Sequence, residues 1–255
     1  MRILRAISSL LVACAFLGAC NAAPAATTPD PPSAPTGDVT TYRGDAARTG
    51  VMTGPGPSGS PQLAWQFQAD AAFESSPSVV GTSAFALSRD GIVHSIDVDT
   101  GALQWTVPLG ARAGSATPLA VDGLVVVGDQ AGVVHALDPI SGAARWTTPT
   151  DGSIDGAAVA VGHVIVTATE SGSAFALDAE TGAVIWKTSL PAAVSKSVTA
   201  SADTVFLGAG GTLVALRLSD GTTLLAVDRF DLGRMWDANC RRWPPVRLDR
   251  TRRDR

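Results

Sequence analysis

The sequence predicts an all-β protein, a partial β-propeller made of about four repeats that each fold into a four-stranded antiparallel blade. Tryptophans recur at intervals of 40 or 41 residues, at Trp65, Trp105, Trp146 and Trp186. This period is typical of propeller blades. Short runs rich in β-branched residues fill each period, and turn residues separate them. Because no run is long enough for a stable helix, the pattern favours strands throughout.

The second repeat shows the predicted strands most clearly. We predict them at residues 118–121, 124–128, 133–137 and 144–147, with Asp122-Gly123, Ala131-Gly132 and Ser141-Gly142 in the turns. Four strands in one period form the blade of a propeller. The composition agrees, because 26 Gly, 16 Pro and only 16% charged residues favour tight turns over long charged helices.

A shared motif, Asp-x-x-Thr/Ser-Gly-x-x-x-Trp, ends three of the repeats. Its members are Asp97, Thr100, Gly101 and Trp105; Asp138, Ser141, Gly142 and Trp146; and Asp178, Thr181, Gly182 and Trp186. The aspartate suits capping of backbone N–H groups in a hairpin turn, and the glycine suits a positive φ. The tryptophan offers a large flat surface to the neighbouring blade, and its burial is worth roughly 2–3 kcal/mol. We therefore predict structural roles for all twelve residues.

This motif resembles the tryptophan-docking motif of the pyrroloquinoline-quinone (PQQ) repeat propellers, and the resemblance covers residues 42–227. Residues 42–50 resemble the opening segment before the first blade in such proteins. The family includes quinoprotein alcohol and sugar dehydrogenases. It also includes non-enzymatic propellers, among them the lipoprotein of the outer-membrane β-barrel assembly machine. The resemblance therefore implies the fold, whereas function has to be argued from particular residues.

The dehydrogenases of this family resemble one another in an adjacent Cys-Cys pair and in a calcium site of Glu, Asn and Asp. This sequence has no Cys-Cys pair, and its only asparagines, Asn21 and Asn239, lie outside the repeats. There is also no Ser nucleophile elbow, no HExxH and no phosphate loop. We predict no catalytic residue, no metal site and no cofactor.

Three histidines and one tripeptide are further candidate sites. His94 and His135 occupy the same position in successive repeats, which suggests either a metal pair or ordinary strand residues. We favour strand residues, because corresponding positions of adjacent blades fan apart around the axis. His163 stands alone. Arg43-Gly44-Asp45 matches an adhesion tripeptide, but such triplets arise by chance.

The N-terminus predicts export and lipidation. Arg2 and Arg5 precede an apolar stretch that is too short to span a bilayer of about 30 Å, which indicates a signal peptide at residues 1–19. Leu17-Gly18-Ala19-Cys20 reads as a lipobox, with Cys20 as the lipidated residue. Residues 20–41 are rich in Ala, Pro and Thr and predict a tether. The alternative is ordinary secretion with cleavage after Ala23.

The repeat pattern weakens towards the C-terminus. A fourth copy begins at Ala215 but has Arg217 in place of Asp and Leu225 in place of Trp, so the motif of the last repeat is degenerate. Residues 228–255 hold nine of the 19 basic residues, all arginines, and show no strand periodicity. We interpret them as read out of frame, which would leave a truncated propeller. A genuine basic tail and a four-bladed ring are the alternatives.

The functional expectation is a non-enzymatic scaffold, anchored by lipid on the extracytoplasmic side of the bacterial cell membrane or outer membrane. Its partners would be envelope proteins, and a role in outer-membrane protein assembly follows from the resemblance alone. The net charge of −4 gives no reason to expect nucleic acid. The alternatives are a sensor that binds a small molecule or a quinone, and a fragment of a PQQ-dependent dehydrogenase.

Overall fold

A computed structural model describes residues 38–51 and 59–228. Within them, sixteen strands form four separate four-stranded antiparallel sheets, each made of consecutive strands. The predicted partial propeller with four-stranded blades is therefore confirmed. In these ranges no helix is long and apolar enough to cross a membrane.

The blades follow one another along the chain. Blade 1 contains β1 (Ser78–Val80), β2 (Ser83–Leu87), β3 (Ile92–Asp97) and β4 (Leu103–Pro108). Blade 2 contains β5 (Leu119–Val121), β6 (Leu124–Gly128), β7 (Val133–Leu137) and β8 (Ala144–Pro149). Blade 3 contains β9 (Val159–Val161), β10 (Val164–Ala168), β11 (Ser173–Asp178) and β12 (Val184–Ser189). Blade 4 contains β13 (Thr199–Ser201), β14 (Thr204–Ala209), β15 (Thr212–Arg217) and β16 (Thr223–Asp228).

The strands of blade 2 differ from their predicted bounds only at two ends. The innermost strand begins at Leu119, one residue after Pro118, which has no N–H to donate to a ladder. The outermost strand continues to Pro149, because Pro149 is the antiparallel partner of Val133 at the start of β7. Proline is tolerated there because it lies at the end of an edge strand.

The hydrophobic core lies between the blades as three clusters. Phe85 and Leu87 of blade 1 pack with Val125 and Val127 of blade 2. A second cluster joins blades 2 and 3, and a third joins blades 3 and 4. Side chains alternate between the two faces of a strand, so an inner blade buries both faces against its neighbours. Each blade therefore depends on the next one for its core, as in other repeat proteins.

Blade 4 is complete although its motif is degenerate, in agreement with the predicted count of about four blades. Its last hairpin lacks the motif aspartate, but Asp220 accepts a hydrogen bond from the Thr222 N–H at 2.9 Å. Asp220 also pairs with the Arg217 guanidinium at 3.0 Å. Gly221 keeps the positive φ of +69° that the turn requires. The acidic cap has moved three positions along the turn, which a motif fixed in register does not detect.

Candidate functional site

Each motif tryptophan docks onto the last turn of the following blade. The indole N–H donates to the backbone carbonyl of the residue directly after the motif aspartate position in that turn. These bonds are Trp105 to Pro139 at 3.1 Å, Trp146 to Ala179 at 2.9 Å and Trp186 to Leu218 at 2.7 Å. Trp65, which lies before blade 1, makes the same bond to Val98 at 2.7 Å. The indoles thus join consecutive blades.

The motif aspartates cap the turns that receive the indoles. Asp97 Oδ1 accepts hydrogen bonds from the Thr100 hydroxyl at 2.7 Å and from the Thr100 N–H at 2.9 Å. The same two bonds recur between Asp138 and Ser141 and between Asp178 and Thr181. The Thr100 hydroxyl and N–H bonds lower the pKa of Asp97 below its usual value, so this carboxylate is ionised. This arrangement suits a turn cap and is unsuited to a general base.

The motif glycines leave room for the docked rings. Gly182 has a φ of +72°, a region that costs most other residues strain. A Cβ atom at Gly182 would lie 2.5 Å from the Trp146 ring. Glycine is therefore needed here for two reasons: the backbone is left-handed, and the indole of the preceding blade approaches it closely.

Residues 38–50 form a segment, here called the inner clasp, that runs along the innermost strands. Val39 forms an antiparallel bridge with Val79 of β1. The Thr40 carbonyl accepts a hydrogen bond from the Ala120 N–H of β5 at 2.7 Å. Further along, the Ala46 carbonyl accepts from Ala200 of β13 at 2.9 Å. One short segment therefore contacts blades 1, 2 and 4 through its backbone.

Arg48 extends the inner clasp to blade 3. Its buried guanidinium donates to the carbonyls of Ala157 and Ala158, at 3.3 and 3.0 Å, and to that of Val198, at 2.9 Å. It also donates to the Thr41 hydroxyl and to the Tyr42 carbonyl, each at 2.8 Å. Burial lowers the pKa of Arg48 to about 10, which leaves the side chain charged at neutral pH. Arg48 is not among the functional residues predicted from the sequence, where its only signal is a place in the opening segment.

A pocket of about 470 Å³ lies between the inner clasp and the loops that precede the innermost strands of blades 1, 2 and 4. Three basic side chains, Arg43, Arg48 and Lys196, line it together with several hydroxyl groups. Its one carboxylate, Glu74, pairs with Arg89 at 3.1 Å. The Ser75 hydroxyl is buried without a hydrogen-bond partner in the described part of the chain. The pocket is polar and suits a small anion.

The histidines bind side chains of separate residues. His94 Nε2 lies 3.0 Å from the Ser88 hydroxyl, and His135 Nε2 lies 2.8 Å from Asp129 Oδ2. His163 is exposed and lies 2.7 Å from Asp122. Among residues 38–51 and 59–228, no group of three or more His, Cys, Asp or Glu side chains is placed to hold a metal ion. The predicted lipidation residue, Cys20, lies outside the described residues.

Three comparisons place the chain among known proteins. A family model described as outer membrane protein assembly factor BamB matches residues 59–155 and 150–248. No curated protein matches the sequence. Many solved structures resemble the fold. One is BamB from Moraxella catarrhalis, with 22% identity and a TM-score of 0.60 over 66% of this chain and 56% of that one.

Two further structures show how widely this fold is shared. A quinohemoprotein alcohol dehydrogenase from Comamonas testosteroni is 21% identical, with a TM-score of 0.67 over 76% of this chain and 41% of that one. A computationally designed protein, Ika4, is 16% identical, with a TM-score of 0.57 over 62% of this chain and 99% of that one. The chain spans about half the length of the two natural structures. At these identities the likeness shows the fold alone.

Proposed function

We propose that this chain, which belongs to the family described as outer membrane protein assembly factor BamB, is a non-enzymatic propeller scaffold that binds other proteins of the cell envelope. The observation that carries the proposal is that the repeat motif has structural roles. Its aspartates cap turns, and its tryptophans dock on the next blade. The recurring polar and aromatic residues are therefore committed to holding blades together. Loops and outer strands remain for binding partners.

The proposal includes a membrane anchor. A lipid on Cys20 and the tether at residues 20–41, whose last four residues belong to the inner clasp, would hold the blades on the extracytoplasmic side of a bacterial membrane, with a role in outer-membrane protein assembly. The lipobox ending at Cys20 and the name of the family support this placement. Mass spectrometry of the mature N-terminus tests it. We expect a diacylglyceryl group on Cys20 and loss of membrane attachment in Cys20→Ser. An unmodified N-terminus after Ala23 would contradict it.

Scaffold activity can be tested by site-specific photo-crosslinking in the native envelope. Ile140, at the tip of the last turn of blade 2, is 88% exposed and is a suitable position for the crosslinking residue. We expect discrete adducts with envelope proteins, identified by mass spectrometry. The matched control places the same residue at the buried Ile165, which should give none. Identical adduct patterns at both positions would count against the proposal, as would turnover of an alcohol in the presence of PQQ, calcium and a dye acceptor.

The pocket at the inner clasp favours a second candidate function, the binding of a small anionic molecule. Arg43 and Lys196 supply positive charge, and the orphaned Ser75 hydroxyl supplies a hydrogen-bonding group. The residues present do not fit a calcium-bound quinone, because the one carboxylate, Glu74, is paired with Arg89 and no amide side chain lines the pocket. Titration with PQQ or with inorganic phosphate, followed by calorimetry, tests this candidate. Saturable binding that weakens in Lys196→Ala would support it.

A further inference from the structure

Residues 61–67 take the course of an outermost blade strand without belonging to a sheet. Trp65 holds the same place as the tryptophans of β4, β8 and β12, and its indole makes the same bond to the next blade. A Cβ atom at Gly101 would lie 2.7 Å from the Trp65 ring, so the fit to the turn is equally close. In the described part of the chain, however, no backbone group of residues 61–67 pairs with another strand. Leu63 is 81% exposed.

The missing partner of this segment can be specified from the other blades. An outermost strand pairs antiparallel with the third strand of its blade, and the tryptophan lies opposite a small residue of that strand. The pairs are Ser95 with Trp105, Ala136 with Trp146 and Ala176 with Trp186. A sheet that accepts residues 61–67 therefore needs a third strand with Ser or Ala at the position facing Trp65. Strands with unpaired edges are templates for such pairing.

Blade 4 offers this acceptor. Ala215 of β15 is the small residue at the required position, but it faces Leu225 of β16 where the other blades have tryptophan. Ala215 is buried, and Leu225 is half-buried. Blade 4 thus retains the small residue that accommodates an indole, while its own outermost strand lacks one. The described residues contain no indole docking from blade 4 onto a further blade.

We propose that two copies of this chain exchange strands head to tail. Residues 61–67 of each copy take the place of β16 on blade 4 of the other, with Trp65 facing Ala215 and still bonded to Val98 of its own blade 1. In each acceptor blade the ladder that residues 61–67 form with β15 replaces the one that β16 forms with it, so the number of paired strands in the blade stays the same. Both junctions are identical and related by a two-fold axis. This inference concerns copies of the chain and stands apart from the proposed scaffold function.

Engineered cysteines test the register directly. By the repeat alignment, Gln68 corresponds to Pro108, whose partner is Ile92, and the equivalent position on β15 is Thr212. Differently tagged full-length chains carrying Gln68→Cys and Thr212→Cys are mixed in detergent and oxidised. We expect a disulfide-linked dimer that contains both tags. Each variant alone serves as the control for the native cysteines. Absence of the mixed dimer overturns the proposal, as does a disulfide within one chain that carries both cysteines.

Two further variants separate strand exchange from general contact. Trp65→Ala should lower the yield of the mixed dimer about tenfold, because aromatic anchors dominate interfaces. Leu225→Trp strengthens the resident strand and should also lower it. The matched control is Ile140→Ala, which removes an exposed apolar side chain far from residues 61–67 and from blade 4 and should leave the yield unchanged. A yield that is insensitive to both Trp65→Ala and Leu225→Trp refutes strand exchange.

Discussion

Removal of the Arg48 side chain tests the structural importance of the inner clasp. The guanidinium bonds the carbonyls of Ala157 and Ala158 in blade 3 and of Val198 in blade 4. A hydrogen bond to a charged group contributes about 1.5–3 kcal/mol, and such contributions are not additive. Because Arg48 lines an open pocket, water can enter the space left by its side chain and replace part of what is lost. We therefore expect Arg48→Ala to lower the free energy of unfolding by about 3–5 kcal/mol.

Urea denaturation followed by tryptophan fluorescence measures this loss, since the indoles lie at the blade junctions. A loss of about 3–5 kcal/mol is a large fraction of the 5–15 kcal/mol that stabilises a typical domain. Arg48→Lys keeps the charge but lacks the planar fork that reaches several carbonyls at once. It should recover about half of the lost stability.

Arg43 provides the matched control for this measurement. It lies in the same segment with the same sign of φ, +62° against +57° for Arg48, but it is exposed. Arg43→Ala should change stability by no more than about 0.5 kcal/mol, as is usual for surface substitutions. The reasoning is refuted if Arg48→Ala costs less than about 1 kcal/mol, or if the two alanine variants are equally unstable.

Three other perturbations have defined outcomes. Gly182→Ala should cost about 2–4 kcal/mol in urea unfolding, because it adds a clash with the indole to backbone strain, whereas Gly123→Ala, with open space around it, should cost only about 1 kcal/mol. Burial lowers the pKa of His94 from 6.5, so near that pH the unfolded state binds a proton that the folded state does not. The free energy of unfolding should therefore fall as the pH drops below about 6.5. His94→Phe should flatten this pH dependence in urea titrations at several pH values. Burial opposes ionisation of Asp151, but hydrogen bonds from Lys187 and two hydroxyls outweigh burial and lower the pKa of Asp151 to about 2. The stability that this carboxylate contributes above pH 3.8 should be lost as the pH falls towards 2. Asp151→Asn should remove that acid-dependent loss from thermal melts.

The repeated part of the fold could be predicted because each repeat contains the same short turn motif. Asp97, Thr100 and Gly101 specify a hairpin through residues only a few positions apart, and the 40-residue spacing gives the blade. Local signals of this kind are readable from one sequence. Blade 4 folds although its motif is degenerate, because Asp220 replaces a cap that the motif places at position 217. A turn tolerates more than one capping geometry, so a strict motif underestimates which repeats fold.

The inner clasp could not be predicted, because its contacts join residues that are far apart in sequence. Arg48 and Val198 are 150 residues apart, and the bond between them uses a backbone carbonyl that leaves no trace in the sequence. A buried arginine in a short polar segment looks like any exposed one until the blades are assembled. The pocket beside Arg43 and Lys196 is hidden for the same reason, since its walls come from three blades and the inner clasp.

Residues that recur in the repeats and residues that differ between them have different roles. A position that recurs from blade to blade, such as the docking tryptophan of blades 1 to 3, has to satisfy the same neighbour contact each time, so it cannot also distinguish one partner from another. Specificity must therefore come from residues that break the repeat. The clearest breaks are Arg48 in the inner clasp, Lys196 in the loop before β13, and Leu225 in β16. These lie beside the inner clasp and on the outermost strand of blade 4, where the scaffold proposal predicts that substitutions alter partner binding most.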